Sequence, residues 1–452
     1  MAEQVDAVVV GMGPGGEEVA GRLAGAGLAV VGVESRLVGG ECPYWGCVPS
    51  KMMIRAADSL AEGRRIAEVA GTSRVDPDWA PVARRIRDEA TDNWDDTVAV
   101  KRFEGKGGRF VRGWARLTGP SMVYVEGAEF EATTAVVIAT GTQPAVPPIP
   151  GLADTPYWTN RQAVETTEVP RSLAVIGGGA VGLEFAQVFA RFGSRVTVIE
   201  AADRLLPLEE PEAGELIADV FRREALDVLV GARIARVDHD GETFRIEVAG
   251  AAPVQAERLL VATGRRADLG GLGVAAAGLD QSARFVTVDE HLRAGPRLWA
   301  VGDITGRGAF THVAMYQARI AASDILGFPH EAADYRALPR VTFTDPEVGA
   351  VGLTEDQARA RGITVSTALT PVPSSARGWI HKTGNDGLIK LVADRDSGVL
   401  VGATSAGPAG GEVLSALAVA VHGRVPISTL AEMIYAYPTF HRAIEDAVRG
   451  LQ

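Results

Sequence analysis

Two glycine fingerprints of the same design constrain the fold of this chain more than any other feature. Gly11-x-Gly13-x-x-Gly16 follows the apolar run Val8–Val10, and a segment of helical pattern extends from Glu17 to Leu28. A second apolar run, Ala29–Val33, then ends on the acid Glu34. The pattern repeats from Leu173: Gly177-x-Gly179-x-x-Gly182, a helix to about Phe192, and Val196–Ile199 ending on Glu200. In both copies the acid lies 18 residues beyond the third glycine. Strand, glycine turn, helix and acid-tipped strand form a βαβ unit that cradles a dinucleotide. The glycines let the backbone approach a pyrophosphate, the helix N-terminus stabilises it, and the acid is placed for a ribose diol. A later echo follows each copy, Val136–Gly141 and Leu259–Gly264, each a buried strand ending at Ala-Thr-Gly. The repeat is thus a duplication of whole domains rather than a solenoid.

Length and punctuation allow about three cores in 452 residues. Four prolines and a glycine in Gln143–Gly151 read as a stiff boundary. Ala56–Val69 and Trp79–Val100 read as a helical excursion from the first domain. From Val341 the style changes to Thr-rich strands, a Gly384–Gly387 turn, an apolar helix at Gly411–His422 and a final helix after Pro438. The expected class is α/β: two doubly wound dinucleotide-binding domains plus an α+β C-terminal domain. The net charge of −12 gives no footprint for nucleic acid. Neither a basic n-region before an apolar stretch nor a run long enough to span a bilayer is found, so a cytoplasmic protein without membrane insertion is expected.

The only cysteines are Cys42 and Cys47, too few for a secreted disulfide framework. Close together in a reducing compartment, they read as redox or metal-binding residues. No histidine stands near them, which disfavours zinc, and no metal is expected. Five residues of regular helix would hold the two Cα atoms farther apart than a disulfide tolerates. The chain must therefore turn between them, at Pro43 and Gly46. A helix beginning near Cys47 would favour a thiolate there. Glu200 favours a free 2′-hydroxyl, hence NADH over NADPH, whereas Arg204 is placed to meet a 2′-phosphate.

Gly39-Gly40-Glu41-Cys42-x4-Cys47-Val48-Pro49-Ser50-Lys51, flanked by two fingerprints, resembles the class I pyridine nucleotide–disulfide oxidoreductases. These flavoproteins are similar to dihydrolipoamide dehydrogenase, glutathione reductase and mercuric reductase. Ala139–Gly141, Ala262–Arg265, Ala300–Asp303, Thr344–Glu347 and Val351–Glu355 extend the resemblance along essentially the whole chain. It implies a homodimer with an FAD domain in two parts (1–150 and 271–335), an NAD(P) domain (151–270) and an interface domain (336–452). It implies FAD at Gly11, Gly13, Pro14, Gly16, Glu34, Ser35, Gly40, Lys51, Thr140, Gly141 and Asp303. NADH or NADPH falls to Gly177, Gly179, Gly182, Glu200 and Gly264. Electrons would pass from nicotinamide through FAD to a Cys42–Cys47 disulfide, with Cys47 nearer the flavin and Cys42 exchanging with a small disulfide or dithiol. Lys51 and Glu184 match an ion pair at the flavin's reactive edge.

One motif departs from that family. Where its members end on His-Pro-Thr-x-x-Glu, this chain has Tyr437-Pro438-Thr439-Phe440-His441-Arg442. Both members of the acid–base dyad are replaced. A phenol, with an ordinary pKa of about 10, is a poor base at neutral pH. Three roles stay open: Tyr437 as a hydrogen-bond donor at the acceptor site, His441 as the substitute base, or both as interface residues. The loss moves weight toward a non-thiol acceptor such as a quinone, another metabolite or a metal ion. A low-turnover redox sensor is the remaining alternative. Mercuric reductases carry a further C-terminal cysteine pair, which Val448–Gln452 lacks, so mercury reduction itself is not expected. Pro43, Tyr44 and Trp45 between the cysteines would either shape an acceptor pocket or pack beneath the FAD.

Overall fold

The computed structural model describes residues 1–451. Its chain divides into two compact units, each assembled from three stretches. The first comprises Met1–Pro49, Arg84–Ala145 and Arg265–Asp334. The second comprises Ser50–Ala83, Val146–Gly264 and Tyr335–Gln452.

The first unit is built on a mostly parallel sheet. Strand β1 (Glu3–Val10) sits between β2 (Val30–Glu34) and the long strand Ala128–Ile138, parallel to both. Register pairs Val8 with Val31 and with Val136. These strands are near-continuous apolar runs because both faces are covered. Helix α1 (Pro14–Gly25) and the helix Thr311–Ile325 pack together, burying Val19, Leu23, Ala318 and Ala321 with the strands. The antiparallel hairpin Ala115–Gly119 and Met122–Val125 hangs from the long strand.

In the second unit the fingerprint pattern recurs in a parallel sheet. Its strands run in the order Asp227–Leu229, Arg195–Ile199, Ser172–Ile176, Arg258–Val261. A separate antiparallel sheet follows the order Pro339–Thr342, Glu347–Gly352, Val399–Gly407, Leu388–Asp394, Val365–Pro371. The helices Gly410–His422 and Ala443–Arg449 pack on it through Leu414, Leu417, Ile444 and Val448. The class read from the sequence, α/β with an α+β C-terminal part, is the one observed.

One element differs from expectation. The helix read across Trp79–Val100 is two helices, Ala80–Arg85 continued as a wider π turn to Ala90, and Thr97–Glu104. Between them Asp92, Asn93 and Trp94 are left-handed, with φ of 49°, 54° and 57°. Asp and Asn tolerate that region better than most residues. Thr91 Oγ1 accepts from Trp94 N at 3.3 Å and so closes the turn. Both helices present apolar faces, Val82 and Ile86 on one, Ala99 and Phe103 on the other, so the apolar period survives the break.

Candidate functional site

The first fingerprint is a turn that only glycine permits. Gly11 has φ +94°, and a Cβ there would lie 2.5 Å from Ala139 O. A Cβ on Gly16 would collide with Gly11 O. The second fingerprint repeats both constraints: Gly177 has φ +112° against Ala262 O, and Gly182 abuts Gly177 O. This explains the paired Ala-Thr-Gly echoes, since each supplies the carbonyl that its glycine must clear. Helices α1 and Ala180–Arg191 start after Gly13 and Gly179, and neither cap residue has a side chain to satisfy the first amides. Those donors face the positions a phosphate would take.

The two acids are held alike. Glu34 Oε2 accepts from Met12 N at 2.9 Å and Oε1 from Arg36 N at 2.8 Å. Glu200 Oε2 accepts from Gly178 N at 2.5 Å and Oε1 from Ala202 N at 2.7 Å. Each carboxylate thus ties its strand end to its own glycine loop and keeps lone pairs for a ribose diol. Arg204 departs from its sequence reading. Its guanidinium donates to the backbone carbonyls of Leu206, Pro207 and Glu209, at 2.9–3.0 Å. It shapes its own loop.

The cysteine segment winds as two helices. Gly39 and Gly40, with φ of 107° and 66°, lead into α2 (Glu41–Tyr44). Trp45 and Gly46 break the winding, and α3 (Cys47–Val69) begins at the second cysteine. Both cysteines are thiols in this structure; Cys42 is half-buried and Cys47 exposed. Cys47 Sγ lies 3.5 Å from Thr311 Oγ1. The Cys42 thiol is held far above the ordinary value, first by its hydrogen bond with Cys47 and then by burial. A cavity of about 610 Å³ opens on Cys42. Glu17, Glu18, Asp92, Asp95, Arg102 and Lys106 supply its charges, with Tyr44, Thr311 and Met315 among its other walls. Arg102 Nε is bound to Glu17 at 2.8 Å. Four acids against two bases leave the lining net acidic.

Lys51, one turn into α3, reaches Glu184 Oε2 at 2.7 Å. Glu184 is buried, accepts from Phe343 N at 2.9 Å, and Lys51 Nζ lies 4.6 Å from the Phe343 ring centre. The pair read from the sequence therefore forms. Asp303 accepts from Thr142 Oγ1 at 2.9 Å, with Arg265 Nε 3.7 Å away. Burial pushes its carboxyl above the ordinary value, against the pull of Arg265 and Thr142. Arg265 also donates to Thr142 O at 2.6 Å and reaches Glu41 at 3.4 Å. Sequence reasoning quoted Arg265 as part of a matched stretch but gave it no role, and it missed Thr311 and Thr142. Only the position of Arg265 directly after Ala-Thr-Gly marked it.

Tyr437 is 69% exposed, and Arg442 stacks 5.5 Å over its ring. Arg442 Nη1 pairs with Glu445 at 2.7 Å, and Arg449 holds the other oxygen at 2.5 Å. The arginine at the expected glutamate position thus anchors to a carboxylate three residues on. The His441 ring lies 6.1 Å from that of Tyr435.

The sequence model of the pyridine nucleotide-disulphide oxidoreductases matches residues 5–318, and that of their dimerisation domain matches residues 338–448. The chain belongs to this family. Mercuric reductase of Streptomyces lividans is 34% identical over 463 residues, covering 98% of this chain and 95% of that one. Dihydrolipoyl dehydrogenase of Zymomonas mobilis is 32% identical over 460 residues, covering 99% and 98%. Among solved structures, the HOCl-induced flavoprotein disulfide reductase RclA of Escherichia coli, as its Cu(II) complex, superposes with a TM-score of 0.86. It is 27% identical, with all of both chains covered. The protein is accordingly a flavoprotein oxidoreductase dependent on FAD and a pyridine nucleotide, and it carries the family's dimerisation domain. No described helix is long and apolar enough to cross a membrane.

The residues present fit FAD. Gly13 and Gly40 face each other, and a Cβ on Gly40 would lie 2.8 Å from Gly13 Cα. The uncapped start of α1, Glu34 and the half-buried Asp303 supply amide donors and carboxylates of the kinds a pyrophosphate, a ribose and a sugar chain require. The second fingerprint offers the same cradle, with open space beside Gly179.

Proposed function

We propose that the protein uses NADH to reduce a small neutral or cationic disulfide, with Cys42 as the thiol that meets it. The opening of the acidic cavity on Cys42 carries this reading. FAD, when bound, supplies the two-electron relay between nicotinamide and the cysteine pair. The Cys42 thiolate attacks one sulfur of the substrate, forming a mixed disulfide and releasing the other half as a thiolate. Cys47 then attacks Cys42 Sγ, breaks the mixed disulfide, releases the second thiolate and closes the Cys42–Cys47 bond. The hydride of NADH, two electrons and one proton, together with one proton from solvent balances the two product thiols.

Each residue has a place in this scheme. Cys47 carries the resting thiolate at the start of α3, where helix amides favour negative charge. Lys51, fixed by Glu184, holds a positive charge one turn away on the same helix. Glu34 and Asp303 orient FAD through its sugars, and the fingerprint glycines admit its pyrophosphate. Ser35, Thr140 and Gly141 are proposed neighbours of FAD, and Gly264 of the nicotinamide nucleotide. NADH is the nicotinamide because Glu200 is set for a free ribose diol while Arg204 is bound to its own loop. The stretches 1–150 and 271–335 serve FAD, 151–270 serves NADH and 336–452 forms the homodimer contact. Tyr437 supplies a hydrogen bond at the acceptor site, and His441 supports that segment beside Tyr435.

Acceptor charge tests the proposal. Two unit charges about 4 Å apart in water differ by about 1 kcal/mol, so the net acidic lining should favour cystamine over glutathione disulfide on the order of fivefold or more in kcat/KM. The preference should shrink with salt. Turnover of a quinone but of neither disulfide would move the assignment to a non-thiol acceptor.

A further inference from the structure

We infer that His291, Asp324 and His330 form a binding site for a divalent transition-metal ion of the zinc type. None of the three belongs to a nucleotide fingerprint or to the cysteine segment. They converge from two loops and a helix end. Asp324 sits in the last turn of the helix Thr311–Ile325, and His330 lies five residues past that helix. His291 lies in the turn before the strand Arg293–Gly295. Asp289 Oδ1 fixes that turn by accepting from the backbone amides of His291 and Arg293, at 2.9 and 2.8 Å.

The spacing of the ligand atoms is that of a tetrahedral site. One ligand atom from each residue lies within 4.8 Å of the other two. His291 Nδ1 is 3.0 Å from His330 Nε2, and His330 Nε2 is 3.6 Å from Asp324 Oδ1. Metal–ligand bonds of about 2.0–2.1 Å in a tetrahedron put ligand atoms roughly 3.3 Å apart. Both measured edges lie within a few tenths of an ångström of that spacing. The two imidazoles meet edge to face, 87° apart, with their nitrogens rather than their carbons turned together.

Hydrogen bonds behind the ligands set their chemistry. His330 Nδ1 lies 2.9 Å from Phe328 O, and a carbonyl only accepts, so Nδ1 carries the proton and Nε2 the lone pair. That is the tautomer a metal needs, supported as ligating histidines usually are. His291 Nδ1 gives a proton toward that lone pair in the metal-free chain. Binding a metal moves this proton to His291 Nε2 and leaves both rings neutral. Asp324 Oδ2 accepts from Trp299 Nε1 at 2.8 Å and Arg293 Nε at 2.6 Å, while Oδ1 is the oxygen turned to His330. Arg293 Nη2 also touches Oδ1 at 2.6 Å, so the site is weaker than an unopposed carboxylate would make it. Two imidazoles and one carboxylate suit zinc, cobalt, nickel or copper and not magnesium or calcium. In a tetrahedral site of three protein ligands the fourth position falls to water.

The test uses full-length, FAD-loaded protein with its cysteines oxidised, titrated with zinc chloride alone. Calorimetry should give one zinc per chain, and His330→Ala should weaken binding by about a hundredfold. His291→Gln, a milder change, should weaken it comparably, with flavin content reporting that both variants are folded. On the wild-type protein zinc should also protect His291 and His330, but not His381, from diethyl pyrocarbonate as read by peptide mass. Absence of zinc binding by the oxidised protein, unchanged affinity in both variants, or equal modification of His330 with and without zinc would each overturn the site.

Discussion

At the scale of the residue, the two cysteines differ in environment before any cofactor is considered. Cys42 faces a cavity and its thiol is held high by Cys47 and by burial, whereas Cys47 is exposed at the start of a long helix. A raised thiol pKa means that the nucleophilic form of Cys42 grows with pH, and no histidine at position 437 takes its proton. Disulfide turnover should therefore rise from about pH 7 to about pH 9, across the ordinary thiol value of about 8.5, without levelling off. A plateau already at neutral pH would show that another group activates Cys42. Glu200→Ala should weaken NADH more than NADPH, read as the ratio of their kcat/KM values. An unchanged ratio would remove Glu200 from nucleotide selection. The cysteines and both acids were legible because chemistry fixes their residue types, and the Lys51–Glu184 pair only through the family resemblance. Arg204 and Thr311 were not. Arg204 is held by backbone carbonyls, which leave no trace in a sequence, and Thr311 comes 264 residues after Cys47.

At the scale of the element, the duplicated fingerprint is a steric device with a predictable failure. Gly182 begins the second nucleotide helix with no room for a methyl group against Gly177 O. Gly182→Ala should abolish reduction of the flavin by NADH while FAD stays bound, since FAD depends on the other copy. The readouts are flavin absorbance and its bleaching under anaerobic NADH. Loss of FAD would mean that the two cradles are not independent. The fingerprints were readable because strand, turn and helix share one short stretch. The helix read across 79–100 failed because periodicity records which face is apolar and not whether the backbone turns over at Asp92–Trp94. The two histidines and the aspartate likewise follow no local spacing.

At the scale of the whole molecule, the second unit encloses an ionic knot. Arg191, 3% exposed, reaches Asp58, Glu224 and Asp345 at 2.6–2.7 Å, and Arg65 holds Asp345 at 2.7 Å. Removing the buried guanidinium takes the shared partner from three half-buried carboxylates, so Arg191→Met should cost about 3 kcal/mol in urea unfolding, well above the exposed Arg85→Met control. A loss below 1 kcal/mol would mean that solvent reaches the knot. Its carboxylates titrate in opposite directions. Burial works against Asp345, but Arg191 and Arg65 hold its carboxyl below the ordinary range. Its contribution is present above the unfolded value and is lost as pH falls through the folded one. Burial pushes Asp58 up to about 6 against the pull of Arg191, so its contribution is lost as pH rises through that value. Asp345 belongs to the Thr344–Glu347 stretch, which the sequence marked as a family match without showing what it binds.

The central claim is that Cys42, and not Cys47, receives the substrate, and it can be tested on the covalent intermediate. FAD-loaded Cys47→Ser and Cys42→Ser proteins would be mixed with limiting cystamine, quenched in acid, and the adducts located by peptide mass. The account predicts a cysteamine mixed disulfide on Cys42 that forms about tenfold faster or more than any adduct on Cys47, because in the proposed scheme the cavity that admits the substrate opens on Cys42 while Cys47 faces the bound FAD. Faster labelling of Cys47 would contradict it.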